Sequence, residues 1–155
     1  MDPGMKIRIG ILKEDDIEEI LELENECFVH PWPRSAFEEM LSSQNACYYA
    51  AKDENGRLLG GAALFFICDE GDITNVAVHG NYRNRGIATM LLRELIEDGR
   101  KKGIREFTLE TRESNRAAIA VYEKNGFVVE GRRPGFYRDP EEDALVMWLR
   151  SDADA

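Results

Sequence analysis

The sequence predicts an α/β or α+β fold, in which a mixed sheet of about seven strands is covered by about four helices. Three observations predict this fold. Strand-like and helix-like segments are interleaved along the chain, as in sheets that carry helices on their faces. Hydrophobic residues make up 43% and charged residues 32% of the sequence, which is typical of a globular protein. The length of 155 residues suits one domain, with a core over about residues 5–150 and short frayed ends.

The first half of the chain is mostly strand-like. Apolar residues recur at helical spacing over residues 14–28, which predicts a helix, and Ser35 and Glu38 have the spacing of a capping box before a second, short helix. Asn55-Gly56 is a strong hairpin signal. We place a further turn at Gly71. The strands expected here are residues 6–11, 47–52, 58–67 and 72–78.

The second half begins with the longest predicted helix, residues 87–102, which presents leucines on one face and stops at Gly103. A second helix opens at Asn115 and ends at Asn125-Gly126. The strands expected here are residues 106–111, 127–131 and 144–149.

Charge and composition exclude several classes of function. The net charge of −10 argues against nucleic acid as a partner, because phosphate binding needs a basic face. The acidity either favours cationic substrates or serves only solubility. We expect a cytoplasmic protein without a membrane partner, since the sequence has neither a long apolar run nor a signal-peptide pattern. The three cysteines, Cys27, Cys47 and Cys68, are scattered among apolar neighbours and are expected in the core, and no metal site is predicted.

A loop of small and basic residues, Tyr82-Arg-Asn-Arg-Gly-Ile-Ala88, precedes the long helix. The unpaired N–H groups and the dipole of a helix N-terminus attract anions, and small residues let a ligand approach the backbone. A pyrophosphate site is therefore predicted, with a simple turn as the alternative. A Walker loop is excluded because no lysine follows Gly86, and a dinucleotide site is disfavoured because only one of its three glycines is present, although Glu110 is suitably placed.

Arg83-x-x-Gly86-x-Ala88 resembles the Arg/Gln-x-x-Gly-x-Gly/Ala signature with which acetyltransferases of the GNAT superfamily hold acetyl-CoA. Residues 109–127 are similar to the second acetyl-CoA segment of that superfamily, most of all to the RimI-type and archaeal protein N-terminal acetyltransferases. Phe28-Val-His-Pro-Trp32 with Phe37 resembles the segment on which those enzymes build a peptide groove, and residues 137–147 resemble their C-terminal motif. The resemblance runs from about residue 7 to 149.

The resemblance implies a GNAT fold, acetyl-CoA as co-substrate and no metal. It implies that the peptide groove is formed by Phe28, Pro31, Trp32 and Tyr137. Trp32 and Tyr137 are alternatively core aromatics. Pro33 and Phe136 depart from the family pattern and bear on peptide preference. The residues implied to bind acetyl-CoA are Val76, Ala77, Val78, Arg83, Asn84, Arg85, Gly86, Ile87, Ala88, Thr89, Asn115 and Tyr122.

Attack of an amine on a thioester needs a proton acceptor, a donor to the developing oxyanion and a proton for the leaving thiolate. Glu110 is out of phase with the apolar Phe107 and Leu109, so its carboxylate can face a cleft, and it resembles the general base of the family. The alternative is a surface carboxylate paired with Arg112. Tyr122 resembles the general acid, with a core tyrosine as the alternative.

Asn115 lies two helical turns before Tyr122 and shares its face, although it can also serve simply as an N-cap. We therefore expect direct acetyl transfer from acetyl-CoA to a protein or peptide N-terminus, by a monomer or weak homodimer. An acetyltransferase for small amines and a catalytically silent acyl-CoA sensor are the alternatives.

Overall fold

The structure is a computed structural model that describes residues 5–151. The frayed ends predicted at residues 1–4 and 152–155 lie outside the described residues. The strands are β1 Ile7–Ile11, β2 Ala46–Asp53, β3 Leu58–Ile67, β4 Glu70–Val78, β5 Glu106–Arg112, β6 Val128–Tyr137 and β7 Glu142–Leu149. The helices are α1 Ile17–Cys27, α2 Arg34–Ser42, α3 Ile87–Lys101 and α4 Arg116–Lys124, and a 3-10 turn precedes each of α1 and α3.

The seven strands form one mixed sheet in the order β1-β2-β3-β4-β5-β7-β6. Every neighbouring pair is antiparallel except β4 and β5, which run parallel and are connected through α3. The prediction of a seven-stranded mixed sheet with four helices is confirmed.

The sheet has a hydrophobic core on each face, because successive residues of a strand point to opposite sides. On β2, Tyr48 packs with α1 and α2, whereas its neighbour Tyr49 packs with α3. Leu91, Leu92 and Leu95 of α3 are fully buried on the second face, and each contributes about 1.5–3 kcal/mol to folding. Helices thus cover both faces of the sheet, with α1 and α3 both in contact with β4.

The turn predicted at Gly71 is wrong. Gly71 lies inside β4 and pairs with Phe66, and a Cβ atom there would approach Leu64 to 2.9 Å. Glycine is therefore required by close packing rather than by chain reversal. The turn is made by Cys68 and Asp69, with Cys68 at φ 54°. Cys68 is exposed, so its expected place in the core is also wrong, whereas Cys27 and Cys47 are partly buried.

Two further elements differ from expectation. The capping box at Ser35 and Glu38 is not formed, because α2 begins at Arg34 and the extended residue Pro33 is its N-cap. Strand β6 continues to Tyr137, six residues beyond its predicted end, through an irregular register against β7. This extension forms one wall of the cavity described below. Of the helices within residues 5–151, none is both long and apolar enough to cross a membrane.

Candidate active site

The two parallel strands at the centre of the sheet pair over only part of their length. Residues 70–73 of β4 pair with residues 106–109 of β5, and no further pairs follow in the described chain. Beyond this point β4 stays paired with β3, and β5 stays paired with β7. The strands therefore diverge, and a cavity of about 550 Å³ opens between them. It is lined by residues 27–30, 73–76, 109–112 and 136–138, together with Asn115 and Tyr122.

A bulge in β4 shapes the first wall of this cavity. The register between β3 and β4 shifts between Gly61 and Ala63, and Asn75 opposite adopts φ 54°, a left-handed conformation that asparagine tolerates better than most residues. The Thr74 hydroxyl donates a 2.9 Å hydrogen bond to Oδ1 of Asn75. Thr74, Asn75 and Val76 all line the cavity, so the bulge aims backbone into it. Ala77 is buried and Val78 partly buried at the end of the strand.

The loop before α3 lies at the end of β4. Gly86 is the N-cap of α3 at φ 79°, a conformation that side chains with a Cβ atom rarely adopt, and no atom lies within 4 Å of where its Cβ would be. Ile87 is buried and fixes the first turn on the core, while Ala88 and Thr89 are partly exposed. The N–H groups of this first turn are therefore open to a ligand.

The basic side chains of the loop do not converge on that helix end. The Arg83 Nε atom donates to the carbonyl oxygen of Val78 at 3.3 Å, and the Arg85 guanidinium lies 5.4 Å from the ring centroid of Tyr82. Asn84 occupies a left-handed turn at φ 63°. The contacts of Arg83 and Arg85 thus lie with Val78 and Tyr82, and the groups at the start of α3 that a phosphate could bind are backbone N–H groups.

Glu110 lies on β5 with its side chain towards the cavity and 19% exposed. Its ion-pair partner is Arg133, at 3.8 Å, and the alternative pair with Arg112 is not formed. Asp72 on β4 is close enough to be affected by the charge of Glu110. Partial desolvation, reinforced by that charge and opposed by Arg133, raises the pKa of Asp72 to about 6.

Asn115 and Tyr122 both line the cavity from α4, as their seven-residue spacing predicts. The Asn115 Oδ1 atom accepts a 3.2 Å hydrogen bond from the Ala118 N–H, so the N-cap considered as an alternative is present. Tyr122 is buried, with its ring centroid 6.1 Å from that of Phe127. Burial, with a smaller contribution from Tyr137, raises the pKa of the Tyr122 phenol and keeps it protonated at neutral pH.

Two segments face each other across the mouth of the cavity. Phe28, Val29 and His30 follow α1, and residues 136–138 lie at the end of β6. The His30 Nε2 atom lies 2.8 Å from Oδ2 of Asp139, which joins the two segments at an exposed position.

Tyr137 lies within the second of these segments, and the Arg112 guanidinium lies 4.6 Å from its ring centroid. Burial and the charge of Glu110, opposed by Arg112, raise the pKa of Tyr137 to about 12. Of the predicted groove residues, Phe28 and Tyr137 line the cavity.

Pro31 and Trp32 are not among the residues that line this cavity in the described chain. Trp32 instead packs against Phe37 and Phe65, with ring centroids 5.4 and 5.8 Å away. The core-aromatic alternative therefore describes its contacts better than the groove wall does. Trp32 therefore supports the segment that carries Phe28 by packing on the side opposite the cavity.

Sequence patterning missed one residue beside the site, Glu24. It is completely buried on α1 and hydrogen-bonded to Asn75 and to the Trp32 backbone. Its acidic neighbours give it the appearance of a solvent-facing residue. The signal that could have found it is helical spacing, because Glu24 falls on the stripe that Ile17, Ile20 and Cys27 occupy. Residues 5–151 contain no group of three or more His, Cys, Asp or Glu side chains that could hold a metal ion.

Comparison with known proteins identifies the family. The model of the acetyltransferase (GNAT) family matches residues 17–127. The ribosomal protein bS18-alanine N-acetyltransferase of Escherichia coli K12 is 33% identical over 144 residues, which cover 91% of this chain and 95% of that protein. The N-alpha-acetyltransferase RimI of Mycobacterium tuberculosis is 35% identical over 147 residues, 91% of this chain and 90% of that one.

The fold comparison agrees with the sequence comparison. The crystal structure of the ribosomal-protein-S18-alanine N-acetyltransferase from Escherichia coli superposes with a TM-score of 0.85 at 30% identity, over 96% of each chain. The parted parallel strands and the helix that begins at Gly86 thus belong to a fold shared with an acetyltransferase of known structure. This chain belongs to the GNAT acetyltransferase family.

Proposed function

We propose that this protein transfers the acetyl group of acetyl-CoA to the N-terminal α-amine of a protein or peptide, by direct transfer in a ternary complex. The observation that carries the proposal is a single cavity that is lined by Glu110 and Tyr122, by the β4 bulge, and by Phe28 and Tyr137. The similarity to an enzyme named for acetylation of ribosomal protein bS18 alanine and to one named as an N-alpha-acetyltransferase supports the same substrate class.

In this proposal acetyl-CoA lies in the gap between β4 and β5. The pyrophosphate binds the N–H groups at the start of α3, for which the positive φ of Gly86 and the open space beside it are suited. The pantetheine arm pairs with the free side of residues 76–78, as an added strand would. Asn115 and Tyr122 then face the thioester end from α4. Because backbone groups provide most of these contacts, no metal is needed for binding.

Proton transfers follow from the positions of the two titratable groups. The substrate ammonium loses its proton to Glu110 through water, and the free amine attacks the thioester carbonyl. The C–N bond forms, a backbone N–H of residues 76–78 donates to the oxyanion, and the C–S bond breaks. Tyr122 donates its phenolic proton to the departing thiolate, and the proton that the nitrogen loses as the amide forms returns to the Tyr122 oxygen through water. The position of Tyr122 on the cavity wall supports this role, and its phenol is protonated at neutral pH, as a proton donor must be.

The mouth of the cavity supports a chain end as substrate. Phe28 and Tyr137 line the same cavity as Glu110, so an extended backbone that lies between them would bring the α-amine at its end towards the Glu110 carboxylate. Ribosomal proteins are the substrates named for the relatives, so we place the activity in the cytoplasm, with a monomer or weak homodimer as the working form.

The test is acetylation of a panel of peptides that differ in their first two residues, with mass spectrometry to locate the acetyl group. At pH 7.5 roughly a quarter of α-amines but only about one lysine in a thousand are uncharged, given reference pKa values of about 8 and 10.4. We expect α-amine acetylation at least about 100 times faster than lysine acetylation within the same peptide. Modification mainly of lysines, or preference for polyamines over every peptide, would reject the proposal in favour of a small-amine enzyme. Binding of acetyl-CoA without any transfer would indicate the silent sensor.

A further inference from the structure

Glu24 is a fully buried carboxylate whose hydrogen-bond partners are neutral. Its Oε1 and Oε2 atoms accept from the Asn75 side-chain amide at 2.9 and 3.0 Å, and Oε1 also accepts from the Trp32 backbone N–H at 3.1 Å. Burial raises the pKa of Glu24, and these two donors oppose the rise. A buried acidic group with only dipolar partners is costly to keep, so it calls for an explanation beyond packing.

The two donors belong to two different segments beside the cavity. Asn75 is the left-handed residue of the β4 bulge, and it lies immediately before Val76, where backbone is aimed into the cavity. Trp32 ends the segment that carries Phe28 to the mouth. Glu24 is the one side chain in the described chain that is hydrogen-bonded to both.

Geometry explains why a carboxylate suits this place. The Asn75 amide has its Oδ1 atom occupied by the Thr74 hydroxyl, so its Nδ2 atom must find an acceptor on the other side. The Trp32 N–H needs an acceptor as well. An ionised carboxylate has two acceptor oxygens and no donor of its own, so it can accept hydrogen bonds from both N–H groups at once.

We propose that Glu24 is a positioning residue that couples the peptide mouth to the backbone of the β4 bulge. One carboxylate sets the conformation of Asn75, and with it the N–H groups of residues 76–78, and also anchors the segment that carries Phe28. A peptide that moves this segment therefore moves the groups that polarise the acetyl carbonyl. This inference rests on the proposed function, because the coupled surfaces are its two substrate sites.

The test exchanges the polarity of the Glu24–Asn75 contact. Glu24→Gln places a donor against the Asn75 amide, and Asn75→Asp places a carboxylate against Glu24. In the double variant the new amide at position 24 can donate to the new carboxylate at position 75, so the hydrogen bond is restored with its direction reversed and with one buried charge. Aspartate also tolerates the left-handed conformation of residue 75. We expect each single variant to lower kcat/KM for peptide at least about tenfold, through both kcat and the peptide KM, and the double variant to recover to within about threefold of the wild type.

The acetyl-CoA dissociation constant should change much less than kcat/KM in all three variants, because the pyrophosphate contacts at the Gly86 end of α3 do not depend on Glu24 and only the pantetheine contacts of residues 76–78 do. Glu19→Gln is the matched control. Glu19 lies on the same helix, and its Oε2 atom accepts from the Leu58 N–H at 3.1 Å, away from the cavity. It should change kcat/KM by less than about twofold. The coupling would be overturned if both single variants had wild-type kinetics. It would also be overturned if the loss of kcat/KM in the double variant were as large as the product of the two single-variant losses.

A second readout needs no turnover and separates the coupling from the proposed function. In backbone NMR spectra, each single variant should shift the amide resonances of both Trp32 and Val76, and the double variant should return both towards the wild type, whereas Glu19→Gln should move neither. If wild-type protein acetylates no peptide, the proposed function fails but this result still decides the role of Glu24. If only one of the two resonances responds, Glu24 supports one wall alone and the coupling is rejected.

Discussion

The Oε2 atom of Glu110 on β5 lies 3.8 Å from the Nε atom of Arg133 on β6. Arg112, on the same side of β5, instead donates to Glu142 at 3.1 Å and to the carbonyl oxygens of Arg138 and Pro140. The side chain of Arg133 is 59% exposed, and such exposed pairs are weak. Glu110 is therefore held loosely enough to exchange this partner for a cationic group that enters the cavity.

Glu110→Gln should lower kcat/KM for peptide about 100-fold or more near pH 7, because it removes the group that takes the proton from the substrate ammonium. The loss should shrink as pH rises, because more of the substrate is then already the free amine. The measurement is kcat/KM from about pH 6.5 to 9.5. The exposed Glu113, paired with Arg132, provides the matched control Glu113→Gln, which should follow the wild-type profile. A deficit that stays constant with pH would contradict the role of base.

Tyr122→Phe should lower kcat about 10²–10⁴-fold and leave the acetyl-CoA dissociation constant within about threefold, since only the phenolic proton is removed. Tyr49→Phe is the control, because Tyr49 is a buried tyrosine that donates to Asp98 away from the cavity. It should lower stability by about 1 kcal/mol through the lost hydrogen bond and leave kcat unchanged. Full activity in Tyr122→Phe would leave the thiolate without its assigned proton donor.

Gly86→Val should abolish the thermal stabilisation that acetyl-CoA gives the wild-type protein. A valine at φ 79° is strained by about 1–2 kcal/mol and projects a side chain into the space beside the helix N-terminus. Gly103→Val separates strain from ligand exclusion, since Gly103 has φ 96°, open surroundings and a place at the other end of α3. Both variants should lose similar stability, and only Gly86→Val should lose the response to acetyl-CoA. A retained response in folded Gly86→Val would remove this loop from the site.

Asp72→Asn should stabilise the protein in a pH-dependent way. The pKa of Asp72 is about 6 in the folded state and 3.8 in its ordinary state, so between these values the folded protein binds more protons here than the unfolded chain does. The contribution of Asp72 to the free energy of unfolding therefore decreases as pH rises from about 4 to about 6. Above about pH 6 the full decrease has occurred. The melting temperature of Asp72→Asn should exceed that of the wild type most above pH 6 and converge with it below about pH 4. A difference that does not vary with pH would contradict the raised pKa.

Much of the fold follows from local sequence. Helix α3 was predicted to within one residue because its buried leucines keep a strict helical spacing, and the hairpin around Asn55-Gly56 joins two apolar runs that are buried over most of their length. The second half of β6 was missed, because Arg132, Pro134 and Gly135 carry no strand pattern. Contacts with other elements hold this stretch, among them the pairing of Arg132 with β7 and the hydrogen bond from the Gly135 N–H to Asp143. Such an edge segment is specified by its neighbour rather than by itself.

The candidate site divides in a similar way. Gly86, Asn115 and Tyr122 could be found because helix ends and helical spacing place them. Asn75 and Glu24 could not be brought together from the sequence, since their contact joins residues 51 positions apart and depends on a bulge with no separate sequence signature. Trp32 shows the reverse difficulty, because an aromatic residue near a groove and an aromatic residue behind it have the same local pattern.

The divergence of β4 and β5 also affects whether their unpaired backbone groups can promote aggregation. A row of free N–H and C=O groups at a sheet edge is a template for strands of other molecules and promotes aggregation. Here the backbone groups of residues 74–78 that face away from β3, apart from the Val78 carbonyl that Arg83 binds, lie inside the sheet. They are flanked by β5 and closed off at one end by the pairs that Ile73 and Leu109 complete. The opening is one short stretch of strand, so a neighbouring chain could add few hydrogen bonds before it met β5. The same geometry that makes a slot for a slender ligand therefore makes a poor docking edge for another sheet.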